Sequence, residues 1–150
     1  MTKSYFSRAS IVLLLLSVFA FSDNLVYDIG QPSNSDPKFV IHGLFFLAWY
    51  ILLVIQTNFI RKGNIRAHRT WGIWGMAIGA GVILSTFYVF YAIYEGWGAM
   101  DGGVRANRIF TVTFAGMLVW AYLRRTQPAL HNRLIFVCTL YVLGDRKSVV

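Results

Sequence analysis

Acidic residues are scarce in this sequence: of 150 residues, six are Asp or Glu against fourteen Lys or Arg, and no acid falls inside a long apolar run. A carboxylate within a membrane span is what relays protons or binds cations, so its absence argues against an ordinary pump. Cysteine occurs once, as Cys138, which excludes an intrachain disulfide and a cysteine cluster for zinc or iron–sulfur chemistry. It stands in an apolar run and reads as a small packing residue. The three prolines, Pro32, Pro37 and Pro128, all lie outside the apolar runs. There is no G-x-S-x-G, no H-E-x-x-H and no phosphate-binding loop, so no catalytic residue and no metal site is assigned. Charge is low as well: 13% of residues are charged, against 57% hydrophobic and 17% aromatic, too little polar surface to cover a water-soluble domain. That composition calls for a bilayer as solvent.

What is present is a succession of apolar runs. About 20 residues of helix cross the ~30 Å of hydrocarbon in a membrane. The runs predict an all-α polytopic membrane helix bundle with four complete transmembrane helices, at about 5–21, 39–60, 71–94 and 108–123, and a truncated fifth at 132–144. The first run is short, and Lys3 and Arg8 ahead of it with Val18-Phe19-Ala20 near its end also fit a cleavable signal peptide. Leu25, Val26 and Tyr27 continue its apolar character, which favours an uncleaved helix. Residues 22–38, with Asp23, Asp28, Asp36, Pro32 and Pro37, have the composition of an exposed loop. Pro128 closes the fourth helix. The fifth run, Leu134 to Leu143, is too short to span. Asp145 to Val150 can be encoded by the opening bases of a widely used sequencing adapter that continues in frame to a stop codon. We therefore expect these residues to be read-through and the natural protein to continue; a genuine polar tail is the alternative.

Charge sets the orientation. With the N-terminus in the cytoplasm, the inner segments carry Lys3, Arg8, Arg61, Lys62, Arg66, Arg69, Arg124, Arg125 and Arg133, nine bases and no acid. The outer segments carry Asp23, Asp28, Asp36, Glu95 and Asp101 against Lys38, Arg105 and Arg108. Lys and Arg in short loops decide topology, so the chain reads as a multi-pass membrane protein with a cytoplasmic N-terminus. The basic residues sit in clusters between apolar runs, which assigns them to loops at a lipid bilayer and not to nucleic acid.

Three sets of residues are candidates for function or assembly. His42, Trp49 and Gln56 repeat every seven residues and share one helix face. Polar groups inside a membrane face the bundle interior or a cavity; the plainer reading has His42 at the interface and Gln56 bonded to a neighbouring helix. His68 and His131 each open a helix at the cytoplasmic boundary beside an arginine, Arg69 and Arg133 respectively. Two histidines at one depth can ligate a b-type haem, or with their arginines bind an anionic headgroup, phosphate or quinone. Equally, a His-Arg pair anchors a helix start among headgroups. Gly72, Gly75 and Gly79 fall on one face of the third helix, where a G-x-x-x-G spacing permits close helix packing, within the chain or between copies in a homo-oligomer.

The pattern His42-Gly43, Trp49, Gln56, His68-Arg69, Gly72, then Pro128, His131 and Arg133 resembles a group of uncharacterised bacterial multi-pass membrane proteins over roughly residues 5–143. It is loosely similar to cytochrome b561-like reductases and some oxidase-assembly factors, but lacks histidine pairs on both sides. The resemblance implies architecture and an inner-membrane location. The expected function is a non-enzymatic membrane scaffold or assembly factor with a membrane-protein partner or a second copy of itself. The alternative is a haem b redox protein using His68 and His131.

Overall fold

The computed structural model describes residues 3–26, 30 and 34–143. Among them are five α-helices and no strand: α1 (Lys3–Val26), α2 (Pro37–Arg61), α3 (Ile65–Ala92), α4 (Gly102–Leu123) and α5 (Pro128–Leu143). Positions 144–150, the expected read-through with the last residue of the fifth run, lie outside the described residues, as do 27–29 and 31–33 of the expected outer loop. Three helices are long and apolar enough to cross a membrane, over Ser4–Ser22, Pro37–Arg61 and Ile65–Ala92. α4 has 22 residues but carries Arg105 and Arg108 near its start, and α5 has only 16.

Several helices begin earlier than hydropathy predicts, each for a local reason. α3 starts at Ile65 because Asn64 caps it: the Asn64 side-chain oxygen accepts from the Ala67 amide at 3.0 Å. α4 starts at Gly102 because the Asp101 carboxylate accepts from the Gly103 and Val104 amides, outweighing the weak helical preference of two glycines. Asp36 caps α2 in the same way, with Pro37 at the first helical position where a missing N–H costs nothing. Pro128, expected to close the fourth helix, is also the first residue of α5. α1 runs unbroken to Val26, through Ala20 and into the stretch expected to be loop.

The helices form two units, residues 1–85 and 86–150, with α3 contributing to both. In the first, α1 turns Ser7, Ser10, Leu13 and Ser17 inward, spaced to lie on one face, and Ser10 Oγ meets Thr57 Oγ1 of α2 at 2.8 Å. α2 runs antiparallel to α3, pairing His42 with Ser85, Phe45 with Gly81 and Leu52 with Gly75. In the second, α4 and α5 are antiparallel: Phe110 meets Tyr141 at 5.5 Å between ring centroids, and His131 reaches Ala121. Phe114, Leu118 and Ala121 on α4 are buried, as are Leu134, Cys138, Thr139 and Val142 on α5.

Both units bury hydroxyls among large core side chains such as Phe46, Tyr50 and Phe114, and both also leave many large apolar side chains exposed. Ser10 and Thr139 are fully buried, while Phe19 is 71% exposed, Ile73 73% and Leu84 70%. In water this arrangement would forfeit the hydrophobic driving force. In lipid, where tails are as apolar as leucine, exposed apolar side chains carry no such penalty, and a buried hydroxyl pair such as Ser10 and Thr57 bonds across helices.

Candidate functional site

His42, Trp49 and Gln56 all lie on α2. The His42 ring is half-buried, packs tilted against Phe46 at 4.5 Å between centroids, and places Nδ1 3.3 Å from Ser85 Oγ on α3. Ser85 donates its own hydroxyl proton to the Val82 carbonyl at 3.1 Å, so in this arrangement His42 Nδ1–H donates to Ser85. Trp49 is buried. Both amide atoms of Gln56 are enclosed and have no hydrogen-bond partner among the described residues. An enclosed amide without partners costs on the order of 1–3 kcal/mol.

His68 and His131 sit in the first turns of their helices. The His68 backbone amide bonds the Asn64 carbonyl at 3.1 Å, and the side chain is half-buried beside an exposed Arg69. The His131 amide bonds Gln127 O at 2.9 Å, and Arg133 is exposed. His131 Nδ1 lies 2.8 Å from the Ala121 carbonyl of α4. A carbonyl only accepts, so Nδ1–H is the donor, and in the neutral ring the lone pair is on Nε2. This bond ties the start of α5 to the last turn of α4. His68 belongs to the first unit and His131 to the second. Among the described residues, no three His, Cys, Asp or Glu side chains gather as they would around a metal ion.

The three glycines singled out on α3 differ in surroundings. A Cβ at Gly75 would stand 3.2 Å from Leu52 Cδ2, Gly79 is buried, and a Cβ at Gly72 would meet open space. Gly81 leaves no room for a Cβ, which would run into the Phe45 ring. The G-x-x-x-G spacing does not include Gly81; the aromatic residue on the facing helix is what makes it indispensable.

Sequence reasoning also missed the hydroxyl face of α1 and the role of Arg108. Ser7, Ser10 and Ser17 are spaced by three and seven residues, a helical period that marks one face. Arg108, read as an outer-loop charge, packs against the end of α3 instead. The last four carbonyls of a helix lack partners of their own. Here Ile93 N bonds Val89 O, Tyr94 N bonds Tyr91 O, and Arg108 Nη2 donates to Phe90 O at 3.2 Å. The guanidinium also lies 4.7 Å from the Phe90 ring centroid and 5.3 Å from that of Tyr94. A cation at a helix C-terminus opposes the negative end of the dipole. The signal, an arginine directly before the apolar run that opens at Ile109, was in the sequence.

Outside the spans, Asp36 is held below the usual carboxylate range, first by the Lys38 side chain that donates to it and then by the Lys38 backbone amide. Comparison with known protein families, curated proteins and solved structures finds no match to this chain.

Proposed function

We propose that this chain is a multi-pass protein of a bacterial inner membrane that serves as a non-enzymatic scaffold or assembly factor. Its N-terminus and the α2–α3 and α4–α5 turns face the cytoplasm, α4 crosses as a fourth span, and α5 is the start of a fifth. The membrane reading rests on the many large apolar side chains that the helices leave exposed, Phe19, Ile73 and Leu84 among them, together with hydroxyls such as those of Ser10 and Thr139 that are buried. Support for α4 as a span comes from its length of 22 residues, about 33 Å at 1.5 Å per residue, and from Arg108, which extends to the end of α3 instead of standing bare in lipid. The structural role is supported by what the polar groups do: Ser10, His42, Arg108 and His131 each link one helix to another. The similarity to b561-like and oxidase-assembly proteins remains part of the proposal, because it rests on the sequence pattern alone.

The second reading, a b-type haem on His68 and His131 with Arg69 and Arg133 at the propionates, is favoured by one observation. Metal-ligating histidines commonly donate their other ring N–H to a backbone carbonyl, as His131 does to Ala121. A reduced-minus-oxidised spectrum of protein purified from membranes distinguishes the two. The scaffold reading expects no haem signal. A b-type difference spectrum near one haem per chain, lost in both His68→Ala and His131→Ala, would replace it with the redox reading.

A further inference from the structure

We propose that the exposed face of α3 at the α2–α3 turn binds an anionic phospholipid, with its phosphate at Arg66 and Arg69 and an acyl chain along the helix below. The inference rests on the membrane reading above and adds a ligand to it. At 100° per residue, Arg66, Arg69, Ile73, Ala77 and Ala80 fall within one strip of α3, and every one of them is exposed. Trp74, also exposed, borders this strip where an indole N–H reaches the headgroup level. Below Ile73 this strip presents two small exposed side chains, Ala77 and Ala80. One leaflet of hydrocarbon is about 15 Å deep, or about ten residues of helix, so an acyl chain starting below Arg69 lies along this strip as far as Ala80.

Charge supplies the reason for an anion. The α2–α3 turn holds Arg61, Lys62, Arg66 and Arg69 without an acid, and the ion pair found among the described residues is elsewhere, between Lys38 and Asp36. Arg61 is held by the Asn58 side chain, through Nε at 3.2 Å and Nη2 at 2.8 Å, which leaves its charge uncompensated. At the other end of α3 the cations are already committed: Arg105 donates to Met100 O at 3.0 Å, and Arg108 to Phe90 O and two ring faces. Basic clusters of this size at the end of a membrane helix attract anionic headgroups by about 1 kcal/mol per residue, roughly fivefold in affinity.

The test uses the full chain in bilayers of phosphatidylglycerol and phosphatidylcholine, with one or the other carrying brominated acyl chains that quench tryptophan. Wild type should be quenched by brominated phosphatidylglycerol with a relative affinity at least roughly fivefold above that for phosphatidylcholine. Arg66→Gln/Arg69→Gln should lower the ratio at least roughly fivefold, whereas Arg66→Lys/Arg69→Lys, which keeps both charges, should retain most of it. Arg124→Gln/Arg125→Gln should leave it unchanged. Equal quenching by both lipids in wild type overturns the proposal, as does an equal loss in the Arg124/Arg125 variant, which would show a general surface attraction. Loss of the preference in ~10 mM inorganic phosphate, beyond that in chloride of equal ionic strength, overturns it in favour of a free-anion site. No quenching by either lipid would mean that the chain is not in the bilayer, which sinks the membrane reading itself.

Discussion

Arg108 is the charged residue that the fold uses most heavily, combining a hydrogen bond to an otherwise open carbonyl with contact to two aromatic faces. Arg108→Gln should lower the thermal stability of the detergent-purified protein by about 1–2 kcal/mol, and Arg108→Lys should recover less than half, since an ammonium cannot both stack and donate from a planar fork. The Ser10–Thr57 pair is a smaller strut. Each hydroxyl also bonds its own helix, to Ser7 O and Leu53 O, so one proton is directed across the interface and the other back to the backbone. A double-mutant cycle with Ser10→Ala and Thr57→Ala should give a coupling near 0.6 kcal/mol and no more than about 1.7. Gln56 runs the other way: with its amide enclosed and unpartnered, Gln56→Leu should raise the melting temperature. Unchanged or lowered stability would show that the amide makes a contact absent from the structure. At this scale the sequence made His42 and Gln56 conspicuous because polar groups stand out in apolar runs. The serines did not stand out, because serine inside a membrane helix is a common small residue and its role depends on what faces it.

The helices were legible as apolar runs, and their starts were not. Hydropathy sees Arg66 and Arg69 as a loop and Gly102-Gly103 as a break, but the backbone answers to the caps supplied by Asn64 and Asp101. Helix packing shows the same limit. The spacing of Gly72, Gly75 and Gly79 can be read along one chain, whereas the need for glycine at Gly81 comes from Phe45, 36 positions away in sequence. Gly81→Ala should cost about 1–3 kcal/mol, because the Phe45 ring must move aside, while Gly72→Ala, with open space at its Cβ, should be neutral or slightly stabilising. Melting curves of the two variants, measured side by side, check the contrast. The cap of α2 adds a pH dependence. Because the folded-state carboxyl of Asp36 titrates below its ordinary range, its contribution is complete at neutral pH and is lost as pH falls through the lowered value. Stability should therefore fall below about pH 4, and Asp36→Asn should flatten that decline.

At the scale of the whole molecule, the account depends on where the large side chains point. Composition already called for a bilayer, and the structure gives a physical counterpart: in each unit taken by itself, large apolar side chains are left exposed while hydroxyls are buried among the core. The proposed orientation rests on charge alone, because lysine and arginine act through their count in short loops, which needs no knowledge of packing. Function was not readable in the same way, since a histidine that ligates and a histidine that braces two helices have the same letter and the same spacing. The central claim, a membrane-embedded chain with a cytoplasmic α2–α3 turn, is tested most directly by two single cysteines in a Cys138→Ser background. Ser35→Cys lies just before α2 and Lys62→Cys just after it, both at exposed positions. With an impermeant thiol reagent added to intact spheroplasts, Ser35→Cys should label and Lys62→Cys should label only after the membrane is opened; labelling of Lys62→Cys in intact cells would contradict the account.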